Sequence, residues 1–330
     1  MKIKIDVTGI GNAIVDILAK VPDDFLKMHG LQKGSMTLVE EKTALDLCSI
    51  INAEEEAPGG SAANTIAGLA SLGKKTAFIG KVKNDSLGSS FDNGLTCMGV
   101  LCRAMKEDNG ISTARCIIFV TPDAQRTMCT FLGIAGALNL EDIKKNESMI
   151  SSSRLLYLEG YLWDRPEAKL AIKKAIKIAR DSKSKIAFSL SDSFCVKRHR
   201  NDFLDLIKDD LDIVFANETE LMALFENNDF NDASKECKNY NVIWALTRSE
   251  KGSTIIFKDI VHEVNIDKVE NLIDTTGAGD LYAAGFLSGY LENRDLKTCG
   301  KMGSIAASEI ISHYGARPKL SLAELFAKKL

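Results

Sequence analysis

The chain has 330 residues, 45% of them hydrophobic, and its 42 basic and 45 acidic residues give a formal net charge of −3. This composition supports a sizeable folded core and excludes a disordered chain. Because charges of both signs are mixed along the sequence, we expect no nucleic-acid or membrane partner.

The first part of the chain is predicted to form a strand, a helix and a second strand, at residues 3–7, 61–72 and 76–82. Ile3, Ile5 and Val7 alternate with polar residues as in a strand, and the glycines at 9–11 are predicted to end that strand with a turn. Gly73 fits the position that caps the C-terminus of the helix.

Two β-rich runs between residues 113 and 132 flank the turn signature Thr121-Pro122-Asp123-Ala124. A turn signature between two such runs predicts a hairpin. We expect this hairpin to be a small β element that projects from the main layer.

The rest of the chain alternates strands and helices, with strands predicted at 155–158, 186–190, 211–215 and 242–246 and helices at 166–182 and 218–225. Such alternation implies parallel strands joined by helical crossovers. The segment 281–291 is apolar nearly all round and is predicted to be a buried helix. In the absence of a Ser- or Gly-rich linker, we predict one α/β domain over residues 1–330.

The cysteines and the N-terminus indicate the compartment. The eight cysteines form no Cys-x-x-Cys pair and several lie in apolar runs, so we interpret them as reduced core residues. The N-terminal residues lack the continuous apolar stretch of a signal peptide, and no window reaches the roughly 18 apolar residues of a membrane span. We therefore expect a cytoplasmic protein.

The segment Asp274-Thr-Thr-Gly-Ala-Gly-Asp280 directly precedes the buried helix. Gly277, Ala278 and Gly279 are small, so backbone N–H groups at the helix N-terminus can approach a phosphate closely. Asp280, beside that anion site, can take the proton of an attacking hydroxyl group. Alternatively, Asp280 only stabilises the helix N-terminus, an effect of roughly 0.3–1 kcal/mol. The local motif leaves both interpretations open.

A second glycine-rich segment, Pro58-Gly-Gly-Ser-Ala-Ala-Asn-Thr65, opens the first predicted helix. Gly59 and Gly60 let the backbone approach a ligand, and Ser61 can cap the helix. The side chain of Asn64 would point to the same end of the helix. A plain Gly-Gly turn with a serine cap would need no ligand, but it explains Asn64 in the first turn poorly.

Together these two segments resemble the two signatures of the ribokinase/PfkB family, in the expected order and over most of the chain. The resemblance implies a three-layer ribokinase-like α/β fold, with a mostly parallel central sheet flanked by helices. It also implies a small β-sheet lid formed by inserted segments at about 12–40 and 111–132. In that family, the aspartate equivalent to Asp280 is the catalytic base and the amides of residues 277–279 form the anion hole.

Further segments match the nucleotide-binding positions of that family. Asn217-Glu-Thr-Glu220 resembles an Asn-x-x-Glu motif that organises Mg²⁺ and phosphate through water, although alone it would be an ordinary N-cap with first-turn acids. Thr247 to Gly252 resembles the turn Thr-x-Gly-x-x-Gly, with Ser249 in place of the first glycine. Gly315-Ala-Arg-Pro318, with the loop around Asp274, resembles a segment that holds a monovalent cation such as K⁺ in several relatives. The implied cofactors are ATP, Mg²⁺ and a monovalent cation.

The acceptor side is closer to the adenosine-kinase branch than to ribokinases, which favour Gly-Gly-Lys-Gly-Ala-Asn in the first signature. Asp16 can accept hydrogen bonds from both hydroxyls of a ribose, and Asn12 and Asn64 would add orientation. These residues, with 59–61, form the predicted substrate site.

Arg126 and two aromatic residues complete the predicted site. Arg126, in the hairpin, matches a lid arginine of adenosine-kinase-like members that can reach the transferred phosphate; without that context it would be an exposed charge. Tyr161 and Phe131 are candidates for stacking on a nucleobase, and each can equally belong to the core.

The surrounding sequence argues against three other kinds of site, namely a dinucleotide site, a P-loop and a metal site. Gly9-x-Gly11 has Ile14 where a dinucleotide fingerprint needs Gly or Ala. The P-loop-like run 68–75 ends in Lys75 rather than Ser or Thr, and it lies at a helix C-terminus instead of opening a helix. The four histidines show no metal-ligand spacing.

We therefore expect an ATP-dependent kinase that phosphorylates the 5′-hydroxyl group of a ribonucleoside, with adenosine as the first candidate. A kinase of a free sugar such as ribose or fructose is the alternative. A ligand-binding module that has lost turnover is a third hypothesis, which the presence of Asp280 and its small neighbours argues against. Both a monomer and a homodimer are compatible with the sequence.

Overall fold

The computed structural model describes residues 4–123 and 125–330. Ile3 of the first predicted strand and Ala124 of the predicted hairpin turn lie outside the described residues. The strands are β1 (Ile5–Ile10), β2 (Ile14–Lys20), β3 (Met36–Leu38), β4 (Glu55–Gly59), β5 (Thr76–Lys83), β6 (Leu101–Glu107), β7 (Ala114–Val120), β8 (Arg126–Phe131), β9 (Ser153–Glu159), β10 (Lys185–Ser189), β11 (Ile213–Asn217), β12 (Ile243–Thr247), β13 (Ser253–Phe257) and β14 (Ile260–Val264). The α-helices are α1 (Asp23–Met28), α2 (Glu41–Ser49), α3 (Ser61–Ser71), α4 (Ser86–Cys97), α5 (Leu140–Lys145), α6 (Glu147–Ser151), α7 (Pro166–Asp181), α8 (Ser193–Asp209), α9 (Glu218–Leu224), α10 (Phe230–Glu236), α11 (Ala278–Leu291), α12 (Leu296–Ile310) and α13 (Leu322–Lys329).

Nine strands form the central sheet, in the order β14-β13-β12-β11-β10-β9-β1-β5-β6. The strands from β6 through to β12 in that order pair in parallel. At the other edge, β13 and β14 continue the sheet in antiparallel pairing. The prediction of a mostly parallel sheet with helical crossovers is confirmed.

Helices cover both faces of this sheet, so each central strand is buried on two sides. In β9, Leu156 and Leu158 belong to one hydrophobic core, together with α7 and α8. Leu155 and Tyr157 belong to the core on the opposite face, with α3 and α11. Parallel strands buried on both faces carry continuous apolar runs, which explains the uninterrupted run that identified this strand in the sequence. The predicted three-layer α/β class is confirmed.

Five further strands form a second sheet, here called the lid sheet, in the order β3-β8-β7-β2-β4. The predicted hairpin is present as β7 and β8, which pair antiparallel. β4 also belongs to this sheet, although residues 55–59 lie outside the segments expected to form the lid. One face packs on α1 and α2 through a core that includes Phe119 and Phe131. Phe131 is thus a core residue of the lid sheet.

Strand β1 runs further than the sequence predicted. The glycines at 9–11 were expected to form a turn, but Gly9 and Ile10 continue the strand. A Cβ atom on Gly9 would lie 2.4 Å from Cγ1 of Ile66 in α3. Gly9 therefore permits close packing of the helix on the strand rather than a change of direction.

Helices α3 and α11 lie side by side and approach closely at Gly68. A Cβ atom at this position would lie 2.8 Å from Cβ of Ala284 in α11. Because α11 is buried on nearly all sides, its apolar sequence reflects contacts with both α3 and α12. No helix within the described ranges is both long and apolar enough to cross a membrane.

Candidate active site

The polar residues of the site converge because several strands end at one edge of the central sheet. Asn12 follows β1, while Glu159, Asn217 and Thr247 are the last residues of β9, β11 and β12. Parallel strands present their carboxyl ends at the same edge, which is where ligands bind in open α/β sheets. Residues that are distant in sequence thereby line one crevice.

The two glycine-rich segments meet at this edge. Gly60 precedes α3 with φ +90°, and Gly277 precedes α11 with φ +77°. A Cβ atom on Gly60 would lie 2.3 Å from the carbonyl oxygen of Asn12. Both positions need glycine, because other residues adopt positive φ only with strain and residue 60 has no room for a side chain.

Asp280 lies where the two helix N-termini come together. Ser61 Oγ donates a hydrogen bond to its Oδ1 atom at 2.7 Å, and Asn64 Nδ2 donates to its Oδ2 atom at 2.9 Å. Burial raises the pKa of Asp280, whereas these two hydrogen bonds and the positive charge of Arg317 act in the opposite direction. Asp280 is therefore a half-buried carboxylate with increased basicity, which suits a general base.

A cavity of about 290 Å³ opens in front of the N-terminus of α11 and is called the α11 cavity. A Cβ atom on Gly279 would meet no other atom within 4 Å, so the helix start is open at this point. Backbone N–H groups at a helix N-terminus favour an anion such as phosphate. The lining includes most of the predicted catalytic and nucleotide-binding residues, namely Asn217, Glu220, Thr247, Gly277, Ala278, Gly279 and Asp280, and two predicted substrate-binding residues, Ser61 and Tyr161.

Asn217 and Glu220 form a capping box at the start of α9. Asn217 Oδ1 accepts from the Glu220 backbone N–H at 2.9 Å, and Glu220 Oε2 accepts from the Asn217 backbone N–H at 2.9 Å. Glu220 Oε1 accepts from Asn217 Nδ2 at 2.6 Å, and burial raises the pKa of Glu220 to about 7. With both oxygens engaged, this carboxylate fits contact with Mg²⁺ through water better than direct ligation.

In the turn from Thr247 to Gly252, Ser249 replaces the first glycine of the Thr-x-Gly-x-x-Gly motif but adopts a backbone conformation that glycine favours. Ser249 adopts φ +50°, the left-handed conformation that a glycine would favour. Gly252 has φ +87°, and a Cβ atom there would lie 2.1 Å from the carbonyl oxygen of Val264. Thr247 lines the α11 cavity, whereas Ser249 and Gly252 shape the turn that follows.

A second cavity, of about 150 Å³, lies beneath the lid sheet and is called the lid cavity. Asp16 lines it, and its carboxylate packs on Gly59, where a Cβ atom would lie 2.3 Å from Asp16 Cγ. Burial raises the pKa of Asp16 to about 7, opposed by the charges of Arg317 and Arg126. Leu18 and Ile118 of the lid sheet provide an apolar wall.

Asn12 contacts a residue that the sequence analysis missed. Its backbone N–H and its side-chain Nδ2 both donate to Glu159 Oε1 at 2.8 Å, while the Ala62 backbone N–H donates to Glu159 Oε2 at 2.8 Å. Glu159 is fully buried, and burial raises its pKa to about 7. It ties the end of β1 to the start of α3. A charged residue at the end of an apolar strand, before Gly160, was the available signal.

Arg126 makes a contact different from the predicted one. Its Nη2 atom lies 2.6 Å from Asp274 Oδ2, and its Nη1 atom lies 3.5 Å from Thr276 Oγ1. Asp274 also accepts hydrogen bonds from the backbone N–H groups of Thr276 and Gly315, at 3.0 and 3.1 Å. Because a guanidinium already neutralises this carboxylate, the loop fits a monovalent cation poorly.

Tyr161 lies on the α11 cavity rather than on the lid cavity. Its hydroxyl group donates to the carbonyl oxygen of Ser191 at 3.3 Å. Stacking of Tyr161 on a nucleobase therefore stays a prediction, with the ring on the side of the α11 cavity.

Arg317 is the second residue that the sequence analysis missed. Its Nη1 atom donates to Asn64 Oδ1, and its Nη2 atom donates to the carbonyl oxygen of Pro58 at 2.5 Å. Burial lowers the pKa of Arg317 to about 10, although the charges of Asp16 and Asp280 act to raise it. The segment around it had been considered only for cation binding, and no periodic pattern indicates a buried arginine in a loop.

Asp164, Cys195 and His199 bring three potential metal-ligand atoms within 4.8 Å of one another. His spacing in the sequence did not indicate this cluster. Arg198 binds both oxygens of Asp164, at 2.9 and 2.8 Å, and His199 Nε2 lies 2.6 Å from the same carboxylate. These contacts account for the cluster as an ion-paired group.

Known proteins resemble this chain in both sequence and structure. The model of the pfkB family carbohydrate kinases matches residues 38–322. The solved structure of adenosine kinase from Sinorhizobium meliloti is 44% identical, covers 99% of this chain and 100% of its own, and superposes with a TM-score of 0.91. A probable sugar kinase from Rhizobium etli is 41% identical, with coverages of 98% and 98% and a TM-score of 0.91. Adenosine kinase 2 of Arabidopsis thaliana is 24% identical over 93% of this chain and 94% of its own length.

Proposed function

The chain belongs to the pfkB family of carbohydrate kinases, and we propose that it transfers the γ-phosphoryl group of ATP to the 5′-hydroxyl group of a ribonucleoside, with adenosine as the first candidate. The observation that carries this proposal is the position of Asp280. It lines the α11 cavity, and through Asn64 and Arg317 it is linked to the lid cavity. A base at that junction lies between a phosphate site and an acceptor site.

The α11 cavity is the proposed site of the ATP phosphates. The amides that follow Gly277 face developing negative charge at the start of α11. Glu220, with Asn217, would hold Mg²⁺ through water, and the ion would neutralise charge on the phosphate oxygens. We assign no step to a monovalent cation, because Arg126 already pairs with Asp274.

Asp280 accepts the proton of the acceptor hydroxyl group in the proposed reaction. The acceptor oxygen then bonds to the γ-phosphorus atom as the bond to the departing ADP breaks. Both oxygens of Asp280 accept hydrogen bonds in the structure, from Ser61 and Asn64. We propose that the Ser61 hydroxyl group, which turns about a single bond, yields its place on Oδ1 to the substrate.

Asp16 and the apolar wall of the lid cavity support a nucleoside acceptor. The Asp16 carboxylate can accept two ribose hydroxyls, while Leu18 and Ile118 can cover a nucleobase. A free sugar has no comparable apolar surface. The 44% identity to an adenosine kinase supports the same choice.

A free sugar remains the second candidate because of the cavity volume. About 150 Å³ is small for a nucleoside, since ligand cavities commonly measure about 300–1,000 Å³. We propose that the lid sheet moves outward to admit a nucleoside and then closes over it, excluding water. A pentose would need less movement.

The test is a coupled ADP-release assay with adenosine, guanosine, inosine, cytidine, ribose and fructose as acceptors, each also run with Asp280→Asn. Activity that is highest with a purine nucleoside and absent from the variant supports the proposal. Activity confined to free sugars would reject the nucleoside acceptor. ³¹P NMR spectra of the product distinguish a 5′-monophosphate from the other positional isomers.

A further inference from the structure

We propose that Arg317 is a positioning residue that fixes the amide of Asn64 against the catalytic carboxylate and supplies the positive charge that Asp16 and Asp280 share. The inference rests on the proposed function in one respect, namely that Asp280 is the base. It assigns to this chain a catalytic arrangement of three residues, Arg317, Asn64 and Asp280, that were separate in the sequence analysis.

Arg317 fixes the orientation of the Asn64 amide. An asparagine amide presents an acceptor on one side and a donor on the other, whereas an arginine has donors alone. Because Arg317 Nη1 donates to Oδ1 of Asn64, Nδ2 of the same amide must point away from the guanidinium. That atom lies 2.9 Å from Asp280 Oδ2.

Loss of Arg317 would remove this constraint. In the flipped orientation, Oδ1 of Asn64 would face the carboxylate of Asp280, and two acceptors would repel each other. The second contact of Arg317, with the carbonyl oxygen of Pro58 at 2.5 Å, holds the guanidinium to the end of β4. The two contacts together define its plane, which a lysine ammonium cannot reproduce.

Arg317 also supplies charge to the site. Asp16 on β2 and Asp280 on α11 are both half-buried, and the charge of Asp280 opposes ionisation of Asp16. Asp16 also faces Arg126 and Glu55, while Asp280 faces the neutral donors Ser61 and Asn64. Arg126 is already paired with Asp274. Arg317 is thus the positive charge near both carboxylates, and it favours their ionised forms.

The direction of the expected pH effect follows from this arrangement. Without the charge of Arg317, the pKa of Asp280 rises further above its ordinary value. At neutral pH a larger fraction of the base is then protonated, so turnover falls. Raising the pH restores the ionised carboxylate, and with it part of the activity.

The experiment compares three variants: Arg317→Gln, Arg317→Lys and the control Arg115→Gln. Arg115 is a buried arginine on β7 that donates to Ser112 Oγ at 3.2 Å, so it is a control with a hydrogen bond of its own outside the site. For each protein, kcat and kcat/KM are measured from pH 5 to pH 10 with the acceptor that the wild-type protein phosphorylates best. Thermal unfolding checks that each variant is folded.

For Arg317→Gln we expect the acidic limb of the kcat/KM profile to move upward by about one pH unit or more, so that activity falls about tenfold on that limb and the loss diminishes as the pH rises above it. For Arg317→Lys we expect the limb to stay near that of the wild type, while kcat falls at every pH because the amide of Asn64 is no longer fixed. Arg115→Gln should keep the wild-type limb.

A wild-type pH profile in Arg317→Gln, or a loss that is uniform over all pH values, would overturn the charge-sharing role. A wild-type kcat in Arg317→Lys would overturn the orienting role. If Arg317→Gln does not fold, Arg317→Lys still tests the orienting role. The charge-sharing role is then tested by the pH profile of Arg317→Met, which is also uncharged but apolar.

A readout without turnover separates this inference from the choice of acceptor. Carboxyl ¹³C NMR of protein labelled at aspartate follows the titration of Asp280 and Asp16, assigned by the signals missing from Asp280→Asn and Asp16→Asn. A higher pKa of both carboxyls in Arg317→Gln than in the wild type supports the inference even if no nucleoside is phosphorylated. Unchanged titrations reject it even if adenosine is an excellent substrate.

Discussion

Arg126 Nη2 lies 2.6 Å from Asp274 Oδ2, so an ion pair joins strand β8 of the lid sheet to the loop that leads into helix α11. The side chains are 10% and 2% exposed, respectively, so the pair is largely shielded from water. Opening of the lid sheet must separate these charges. The pair therefore couples the position of the lid to the segment that carries Asp280.

This coupling predicts a non-additive double mutant. Arg126→Ala leaves the buried Asp274 carboxylate without its counter-charge, so we expect turnover to fall more than acceptor affinity. In a double-mutant cycle with Asp274→Asn, measured by urea unfolding, the coupling energy should be about 1–3 kcal/mol. The more exposed pair Arg154 and Asp6, 38% and 23% exposed, is the control and should give less than about 1 kcal/mol. Additive effects at Arg126 and Asp274 would exclude an energetic link.

Asp280→Asn tests the base directly. We expect kcat to fall by about 10²–10⁴-fold, because proton removal by a positioned carboxylate contributes an effect of that size. Binding of the acceptor, measured by calorimetry, and the thermal unfolding midpoint should change little, since a neutral amide replaces a half-buried carboxylate whose ionisation is disfavoured. Asp232→Asn, at an exposed acid in the first turn of helix α10, is the control for a helix-dipole effect. Near-normal kcat in Asp280→Asn would leave Asp280 with that structural role alone.

Glu159→Gln should destabilise the protein and weaken acceptor binding together. The carboxylate accepts from two donors on Asn12 and one on Ala62, and an amide places its NH₂ group against at least one of these N–H groups. We expect a loss of about 1–3 kcal/mol in the free energy of unfolding and a higher acceptor KM. Urea unfolding and steady-state kinetics measure the two effects. If the variant loses the expected stability but its acceptor KM is unchanged, Glu159 contributes to folding and not to acceptor binding.

Stability should decrease as the pH rises from about 4.5 to 7. Burial raises the pKa values of Glu159 and Glu220 from 4.5 to about 7, so in this window the folded protein binds more protons than the unfolded chain. Each such group lowers the free energy of unfolding by up to about 1.4 kcal/mol per pH unit. Urea unfolding at several pH values measures the slope. Glu220→Gln should make it shallower, whereas a slope of opposite sign would show that these acids are ionised in the folded state.

Ser249→Gly should stabilise the protein by about 1 kcal/mol, because it removes the cost of a left-handed conformation at a residue with a Cβ atom. Ser249→Ala keeps that Cβ atom and should give no such gain. Gly252→Ala should be strongly destabilising and raise the KM for ATP, since its Cβ atom would lie 2.1 Å from the carbonyl oxygen of Val264. Urea unfolding of all three variants provides the comparison, and equal stability of the glycine and alanine variants at residue 249 would contradict the account.

The sequence predicts those features that arise from local patterns. The helix expected at 166–182 is observed at Pro166–Asp181, because its apolar residues recur with helical spacing and a proline starts it. The two glycine-rich segments could be paired because each has a recognisable spacing before a helix. Gly9 was misjudged because a glycine in a strand can serve close packing as well as a turn.

The residues that sequence analysis missed act through tertiary contacts. Arg317 lies 253 positions from Asn64, and Glu159 lies 147 positions from Asn12. Each is a single charged residue in a strand end or a loop, so no periodicity marks it. Arg126 was found but its partner was not, because the register that places β8 against the loop at Asp274 depends on how the lid sheet packs.

The close contact of α3 and α11 at Gly68 has a consequence for how such a chain can vary. Ser61 and Asn64 belong to one of these helices and Asp280 to the other, so their hydrogen bonds, at 2.7 and 2.9 Å, depend on the separation of the helix axes. A methyl group at residue 68 would push the two helices apart, although it would remove no polar group from the site. We therefore expect substitutions at this buried, nonpolar position to lower both stability and turnover, although residue 68 contributes no polar group to the proposed site.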